Sequence, residues 1–530
     1  MQRPPSPNLG ARAFRSFTAL AAVVFLVAQA SVALAAPRTL SREVLRDKIR
    51  GAWAGQMIGV AYGAPTEFKS LGNIIEGEIK GAPLQNAIVQ DDLYVEMTFA
   101  RVMDTVGLDA TTADYGEAFK HSQYDLWHAN AGARRNLNRG IAAPMSGHPR
   151  YNIHADDIDF QIEADFIGIM CPGLPRVANQ YCDRVGRVMN YGDGLYGGMF
   201  VCGMYSAAYF ESNPRKVVAA GLACIPAKSP YAQLVRNLLD WSAQEPKDWR
   251  KVWQQVEAKW NKDDVCTDGA FRPFNIDAKI NGAYIAFGLL YGQGDWQQTM
   301  EIATRCGQDS DCNPSSAMGV LGAMIGYAQI PESYKPELDK LADTKFDFTE
   351  YSFNDIVKST EARALKIIQQ AGGKVSETEV AIPRQAPKAP KLALSNFGIP
   401  KKVIWVEDAA WNWQGNWVEK GGNIWADKIR IRETEGTGSE VTLKFNGTGI
   451  ALVGDLSQAG GRADVYVDGK KSEVVADAYI VPKTHDNDLW RVQGLKPGEH
   501  TLRLLMRDDA DGRSKGKQLT ISRAVVYQAK

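Results

Sequence analysis

Beyond residue 35 the chain lacks any run of about 18 consecutive apolar residues, which excludes an ordinary membrane-spanning helix there. It also lacks a basic excess. Its 61 Lys and Arg balance 61 Asp and Glu, which gives no support to nucleic-acid binding, a function that calls for a concentrated basic patch. No Cys-x-x-Cys pair occurs, and a zinc site is therefore not expected. The seven cysteines (Cys171, Cys182, Cys202, Cys224, Cys266, Cys306 and Cys312) are too sparse for a disulfide-stapled scaffold, and their odd number leaves at least one thiol free. Strand-like alternation is scarce before residue 372, which argues against a β-rich first half.

What is present begins with a leader. Arg3, Arg12 and Arg15 precede an apolar stretch over residues 17–32, followed by the small-x-small sequence Ala33-Leu34-Ala35. This reads as a cleaved secretory signal peptide, with an uncleaved anchor as the alternative. The expected location is secreted or periplasmic. Residues 1–35 hold three arginines and no acid, so their removal takes the formal net charge from 0 to about −3.

With 45% apolar and 23% charged residues over 530 positions, the chain has room for two or three globular domains. Residues 38–375 read as one all-α domain. Amphipathic periodicity predicts helices over 42–61, 92–106, 230–243, 249–260 and 353–370. Gly51, Gly55, Gly59 and Gly63 recur every fourth residue, as do Gly319, Ala323 and Tyr327 beside Gly322 and Gly326. Glycine inside a helix costs about 1 kcal/mol relative to alanine, so the stripes predict close backbone approach of two central helices. Residues 376–402 carry four prolines and read as a linker. Over 403–530 the period changes to two, with strands expected at 440–445, 450–454, 463–467 and 500–505. Turn signals at Asn446-Gly447-Thr448-Gly449, Asp468-Gly469 and Pro497-Gly498 complete the pattern of a β-sandwich of jelly-roll type. Trp405, Trp411, Trp413, Trp417 and Trp425 crowd its first segment, some as core and some as possible sugar-stacking faces.

Two acidic clusters stand at predicted helix starts: Gln90-Asp91-Asp92 and Asp309-Ser310-Asp311-Cys312. Aspartate is favoured at a helix N-terminus in any protein. If the fold joins the clusters, however, four carboxylates converge, and like charges that close call for a cation such as Mg²⁺ or Ca²⁺. Asp92 and Glu96 are four apart on one helical face, a repulsive spacing that a nearby cation or arginine would relieve unless Glu96 is solvated. Glu163 and Asp165 are further candidate carboxylates, with helix capping as the competing role. His121 and His128, seven apart, do not have a zinc spacing. The aromatic, glycine-rich run at 191–200 suits a pocket wall or tight packing equally.

Residues 43–370 resemble the ADP-ribosylglycohydrolase family. The resemblance rests on the Gly-rich segment from Gly51 to Glu67, on Gln90-Asp91-Asp92-Leu93 with Met97 beyond it, and on Gly307-Gln308-Asp309-Ser310-Asp311-Cys312 before a small-residue helix. It implies an all-helical orthogonal bundle around a binuclear Mg²⁺ site (sometimes Ca²⁺ or Mn²⁺), where the ions hold a ribose diol and water attacks the anomeric carbon. Transferred residue by residue, the metal set is Gln90, Asp91, Asp92, Asp309, Asp311 and Cys312. The catalytic candidates are Glu67, Asp92, Glu163 and Asp165. Gln90 and Cys312 stand where the family has threonines, and a thiol is a poor ligand for a hard cation, so one ion is better supported than two. Val60 replaces a common acid. No Asn-Gly-rich middle motif is found; Asp156-Asp157-Ile158-Asp159 stands in that region.

The expectation is a multidomain, secreted, metal-dependent glycosyl hydrolase that cleaves a ribose-like furanosyl glycoside in an extracellular glycan. The alternatives are a hydrolase of ADP-ribosyl conjugates and a non-catalytic sugar-binding protein. The leader favours a glycan, since ADP-ribosyl adducts are made chiefly in the cytosol. The C-terminal sandwich, which loosely resembles galactose-binding and carbohydrate-binding modules, favours it too.

Overall fold

The computed structural model describes residues 36–262, 264–395, 397–424, 427–481 and 483–529. Residues 1–35, read as a signal peptide, and Trp425 lie outside the described residues. Sixteen α-helices occupy the region from Arg42 to Gln370 among those residues. The predicted helices appear as Arg42–Gly63, Asp91–Thr105, Pro230–Gln244, Trp249–Trp260 and Phe353–Gln370. Ser41 caps the first, its hydroxyl accepting from Val44 N–H. No helix among the described residues is long and apolar enough to cross a membrane.

The glycine stripes do what their cost demands. Helix Arg42–Gly63 runs antiparallel to Cys312–Ile325 at backbone contact. A Cβ at Gly51 would lie 2.5 Å from the Gly322 carbonyl oxygen, at Gly55 2.1 Å from that of Met318, at Gly59 2.3 Å from that of Pro314, and at Gly63 2.0 Å from that of Ser310. No side chain could be accommodated without parting the helices. This contact delivers the end of the first helix to the acidic segment that begins the second. The run at 191–200 also resolves as packing. Helix Asp193–Ala208 is almost wholly buried, and Cβ atoms at Gly197 and Gly198 would strike Gln161 and Phe160.

All seven cysteines are free and buried, with the sulfurs of Cys182 and Cys202 3.3 Å apart.

The stretch read as a linker is tied down instead. Glu379–Ile382 is a strand pairing with Arg38–Ser41 and with Lys374–Val375. Farther along, Tyr196 hydroxyl donates to the Ala393 carbonyl, and Ser395 hydroxyl bonds Asp156. Proline content there reflects an extended path over the helices rather than freedom.

The C-terminal domain is antiparallel, with an eight-stranded and a three-stranded sheet. Val441, Leu452, Leu504 and Ile521 share its core. Asp468 and Gly469, both with positive φ, form the expected hairpin turn. The Asn446–Gly449 signal does not turn. Glu440–Leu456 is one strand that passes straight through it, because Gly447 and Gly449 serve close approach: a Cβ would lie 2.5 Å from the Tyr527 oxygen and 2.8 Å from that of Val492. Of the tryptophans, Trp411 is buried while Trp405 is 37% exposed.

Helical and β parts belong to one unit, Pro37–Lys530. Ile153, Val265 and Phe397 pack with Val453, Val525 and Tyr527 at the seam. Beside them Arg135 donates to Asp488 Oδ1 at 2.9 Å, both side chains being at least 95% buried. Asp488→Ala leaves Arg135 and Arg491 buried without their carboxylate and is expected to cost about 3–5 kcal/mol, read as a lower midpoint in urea unfolding.

Candidate active site and metal centre

Local backbone geometry assembles the acidic cleft. Gly307 and Gln308 both adopt positive φ, +84° and +55°, a conformation that non-glycine residues hold only under surrounding constraint. The constraint is visible. Gln308 N–H donates to the Ser70 carbonyl, its own carbonyl accepts from Phe68 N–H at 3.1 Å, and its side chain bridges Asn275 N–H and the Pro273 carbonyl. Thr66 and Ser310 hydroxyls bond at 2.8 Å. The loop carrying Glu67 is thereby clamped to the segment carrying Asp309 and Asp311.

One carboxylate oxygen from each of Glu67, Asp309 and Asp311 lies within 4.8 Å of the others, and the same holds for Asp92, Asp311 and the Cys312 sulfur. Asp311 belongs to both groups, so the two sequence clusters meet. Asp92, Asp309 and Asp311 are buried, Gln90 and Asp91 half-buried, and Glu67 stands exposed at the mouth with its carboxylate turned inward. Asp91 and Asp92 sit at the N-terminus of Asp91–Thr105, where backbone N–H groups favour negative charge. That help is outweighed. Burial and the Asp311 carboxylate push Asp91 up to about 6, and burial together with Asp311 and Asp91 pushes Glu67 up to about 8. Asp92 and Asp309 are driven well above the carboxylate range by burial and by Asp311.

Cys312 and Gln90 take different roles at the edge. The Cys312 thiol, raised by burial and by Asp309, donates to Asp92 Oδ2 at 3.3 Å. It acts here as a hydrogen-bond donor rather than as a thiolate ligand. Gln90 Nε2 donates to Asn86 Oδ1 at 2.8 Å.

Behind the first carboxylates lies a second set. Glu96 is fully buried, so solvation does not relieve its repulsion with Asp92, and among the described residues no arginine forms an ion pair with it. One oxygen accepts from Phe166 N–H at 2.7 Å. Asp165 is held by Tyr205 hydroxyl and by Ser316 hydroxyl at 3.2 Å. Burial raises it to about 7 against those bonds. Glu163 is buried, accepts from Asn130 Nδ2 through one oxygen, and has Asp159, Asp91 and Asp92 as charged neighbours. His121 and His128 do not share a helix face. His121 follows helix Thr112–Lys120 and bonds Glu117, whereas His128 opens His128–Asn138 after an intervening loop.

These residues fit a divalent cation. Asp92 Oδ1, Asp309 Oδ1 and Asp311 Oδ1 are buried without a hydrogen-bond partner, although buried carboxylate oxygens are almost always partnered. Among the described residues no lysine or arginine forms an ion pair with any acid of the cleft. Hard oxygen donors with net negative charge match Mg²⁺, Ca²⁺ or Mn²⁺.

A family model described as ADP-ribosylglycohydrolase matches residues 41–364. The chain belongs to this family. ADP-ribosylglycohydrolases are hydrolases, typically metal-dependent. A solved structure described as an ADP-ribosylglycohydrolase-related protein complex is 16% identical, with a TM-score of 0.39, covering 61% of this chain and 98% of that one. Two others are similar over smaller parts. A two-domain esterase active on acetylated mannans is 15% identical, with a TM-score of 0.20, covering 34% of this chain and 47% of its own. The CBM36-1 domain of a multidomain xylanase from the hindgut metagenome of Trinervitermes trinervoides is 15% identical, with a TM-score of 0.18, covering 24% and 98%. No curated protein matches the chain.

Proposed function

We propose that this ADP-ribosylglycohydrolase is a secreted glycosyl hydrolase that depends on a divalent cation and cleaves the anomeric bond of a ribose-like furanosyl glycoside in an extracellular glycan. The observation that carries the reading is the convergence of Asp92, Asp309, Asp311 and Glu67, with Asp91 interacting with Asp311 and Glu67; three of them offer unpartnered buried oxygens. Asp92, Asp309 and Asp311, with Asp91 and Gln90 beside them, would hold the ion. When bound, such an ion orients adjacent sugar hydroxyls and polarises water.

The chain's own groups divide the proton work. Glu67 at the cleft mouth, whose carboxyl is pushed up to about 8 by burial and by Asp311 and Asp91 before a cation binds, suits delivery of a proton to the leaving oxygen. Glu163, with Asp91 and Asp92 as charged neighbours, keeps Oε2 without a hydrogen-bond partner and suits a base. Asp165, with both oxygens engaged, is better suited to positioning. Aromatic rings stand close by: Tyr94, one turn along the helix from Asp91, packs against Tyr124 and the 59%-exposed Phe348, and Phe68 packs against Phe274. Tyr94, Tyr124 and Phe274 are buried, so the accessible rings that suit a sugar are Phe348 and the half-buried Phe68.

Glu67→Gln is expected to lower kcat by about 10²–10⁴-fold. In the wild type an alkaline limb of activity lies at or below pH 8, since a bound cation lowers the pKa of Glu67; the variant loses that limb. A pH profile of kcat/KM in both proteins reads this directly. The substrate class is tested by incubating mature protein with furanosyl glycans, pyranosyl glycans and ADP-ribosylated protein, then identifying the released sugar. Release from the furanosyl glycans is expected. Release of ADP-ribose alone would overturn the glycan assignment.

A further inference from the structure

Outside the acidic cleft, four ligand-type side chains from three segments of the chain converge on one point. His154 Nδ1 is 2.7 Å from Asp157 Oδ2, and the Cys266 sulfur is 3.3 Å from the same His154 nitrogen. His128 Nδ1 is 3.7 Å from Asp157 Oδ2. One ligand atom from each of the four lies within 4.8 Å of all the others. His154, Asp157 and Cys266 are buried, and the His128 side chain is only 12% exposed. His128 Nδ1 is inaccessible to solvent and makes no hydrogen bond.

Two readings of this group can be separated by geometry. A Cys-His-Asp nucleophilic relay places the thiol on one ring nitrogen and the carboxylate on the other. Here the Cys266 sulfur and Asp157 both face Nδ1. The carboxylate nearest Nε2, Asp488, is 3.9 Å away and already accepts from Arg135 and Arg491, so no hydrogen-bonded relay runs through the ring. A tetrahedral metal requires instead that four donors surround one point. With metal–nitrogen and metal–sulfur distances of about 2.0–2.1 and 2.3 Å, neighbouring donors stand about 3.3–3.7 Å apart. Two of the three separations above fall in that range; the shorter His154–Asp157 contact would open slightly on binding. The charges also match, since one carboxylate, one thiolate and two neutral imidazoles neutralise a divalent cation.

The surroundings fit a ligand shell. His154 Nε2 faces Asp488 Oδ1 at 3.9 Å, close to the carboxylate–histidine arrangement that orients metal-bound imidazoles. Asp264 Oδ1 accepts from Cys266 N–H at 2.9 Å. Arg523 donates to the Thr267 carbonyl and Tyr527 hydroxyl to that of Val265, so the β-domain grips the loop that carries Cys266.

We propose that His128, His154, Asp157 and Cys266 form a four-coordinate site for a borderline-soft divalent cation of the Zn²⁺ class, distinct from the oxygen-only cleft. With four protein ligands and no open position the site is structural. It fastens the 264–268 loop at the seam between helical and β parts.

The test uses full-length, metal-stripped protein with excess Mg²⁺ present to occupy the cleft, titrated with Co²⁺. One equivalent is expected to produce thiolate-to-cobalt charge-transfer absorption and intense tetrahedral d–d bands, both abolished by Zn²⁺. Cys266→Ala is expected to lose the charge-transfer band, and His128→Gln to weaken Co²⁺ binding by more than about 100-fold, beyond the usual cost of losing an outer-shell partner. Cys312→Ala should leave the spectrum unchanged. Absence of the band in wild-type protein would overturn the site. So would its persistence in Cys266→Ala, or its loss in Cys312→Ala, which would assign the thiolate to the cleft.

Discussion

In the Asp309→Asn protein, turnover is expected to fall about 10³-fold or more while the melting temperature of the ion-free protein rises. Activity falls because the variant removes a buried carboxylate from the set that would hold the cation, whose electrostatic contribution to such reactions is several kcal/mol. Stability rises because that carboxylate is a burden without an ion. Burial, Asp311 and Glu67 all disfavour its charged form. A carboxyl whose folded pKa is raised binds its proton more tightly in the native state. Its stability contribution is complete below the unfolded pKa, roughly 4, and is lost as pH rises through the folded value. Asp91 at about 6 and Glu67 at about 8 mark out that window. Ion-free wild-type protein is therefore expected to lose stability steadily between roughly pH 4 and 8. Asp309→Asn shows a shallower loss, and saturating Mg²⁺ reverses the ranking because an ion that binds only the native state stabilises it. Thermal melts across pH, with and without Mg²⁺, read all three outcomes.

Gly55→Ala is expected to destabilise the fold by more than about 3 kcal/mol, a large effect for one methyl group. Two terms oppose each other. Helix propensity favours alanine by about 1 kcal/mol. Against it, the new Cβ would sit 2.1 Å from the Met318 carbonyl oxygen and 2.6 Å from its carbon. Both are backbone atoms of a buried helix and cannot swing aside, so the two central helices must part. Parting them also moves Glu67 from Asp309, so remaining activity should drop more than stability alone explains. Gly421 has nothing within 4 Å of its Cβ position, and Gly421→Ala serves as the near-neutral comparison. Chemical denaturation of both variants checks the difference.

Much of the cleft was legible because its signals are local. Two Asp pairs at helix starts and a four-residue glycine period survive as patterns in one dimension, and the helix contact they imply brings the pairs together. The partners of each carboxylate were not legible. Nothing near Glu96 reveals that Phe166 N–H meets it, and nothing near Cys312 shows that its thiol spends itself on Asp92. Glycines in Asn446–Gly449 signalled a turn, yet they serve strand approach, since the sequence does not distinguish the two needs. Docking of the 376–402 stretch was not legible for a similar reason: prolines mark an extended backbone, whether free or docked. The His128, His154, Asp157 and Cys266 group was not legible because only His154 and Asp157 are close in sequence and no Cys-x-x-Cys pair marks it.

The most direct test of the account is turnover of a pentofuranosyl glycoside by exhaustively chelated protein as Mg²⁺ is titrated back. The account predicts no turnover without the ion, saturable recovery with it, and no recovery in Asp309→Asn. Undiminished turnover after complete metal removal would contradict it.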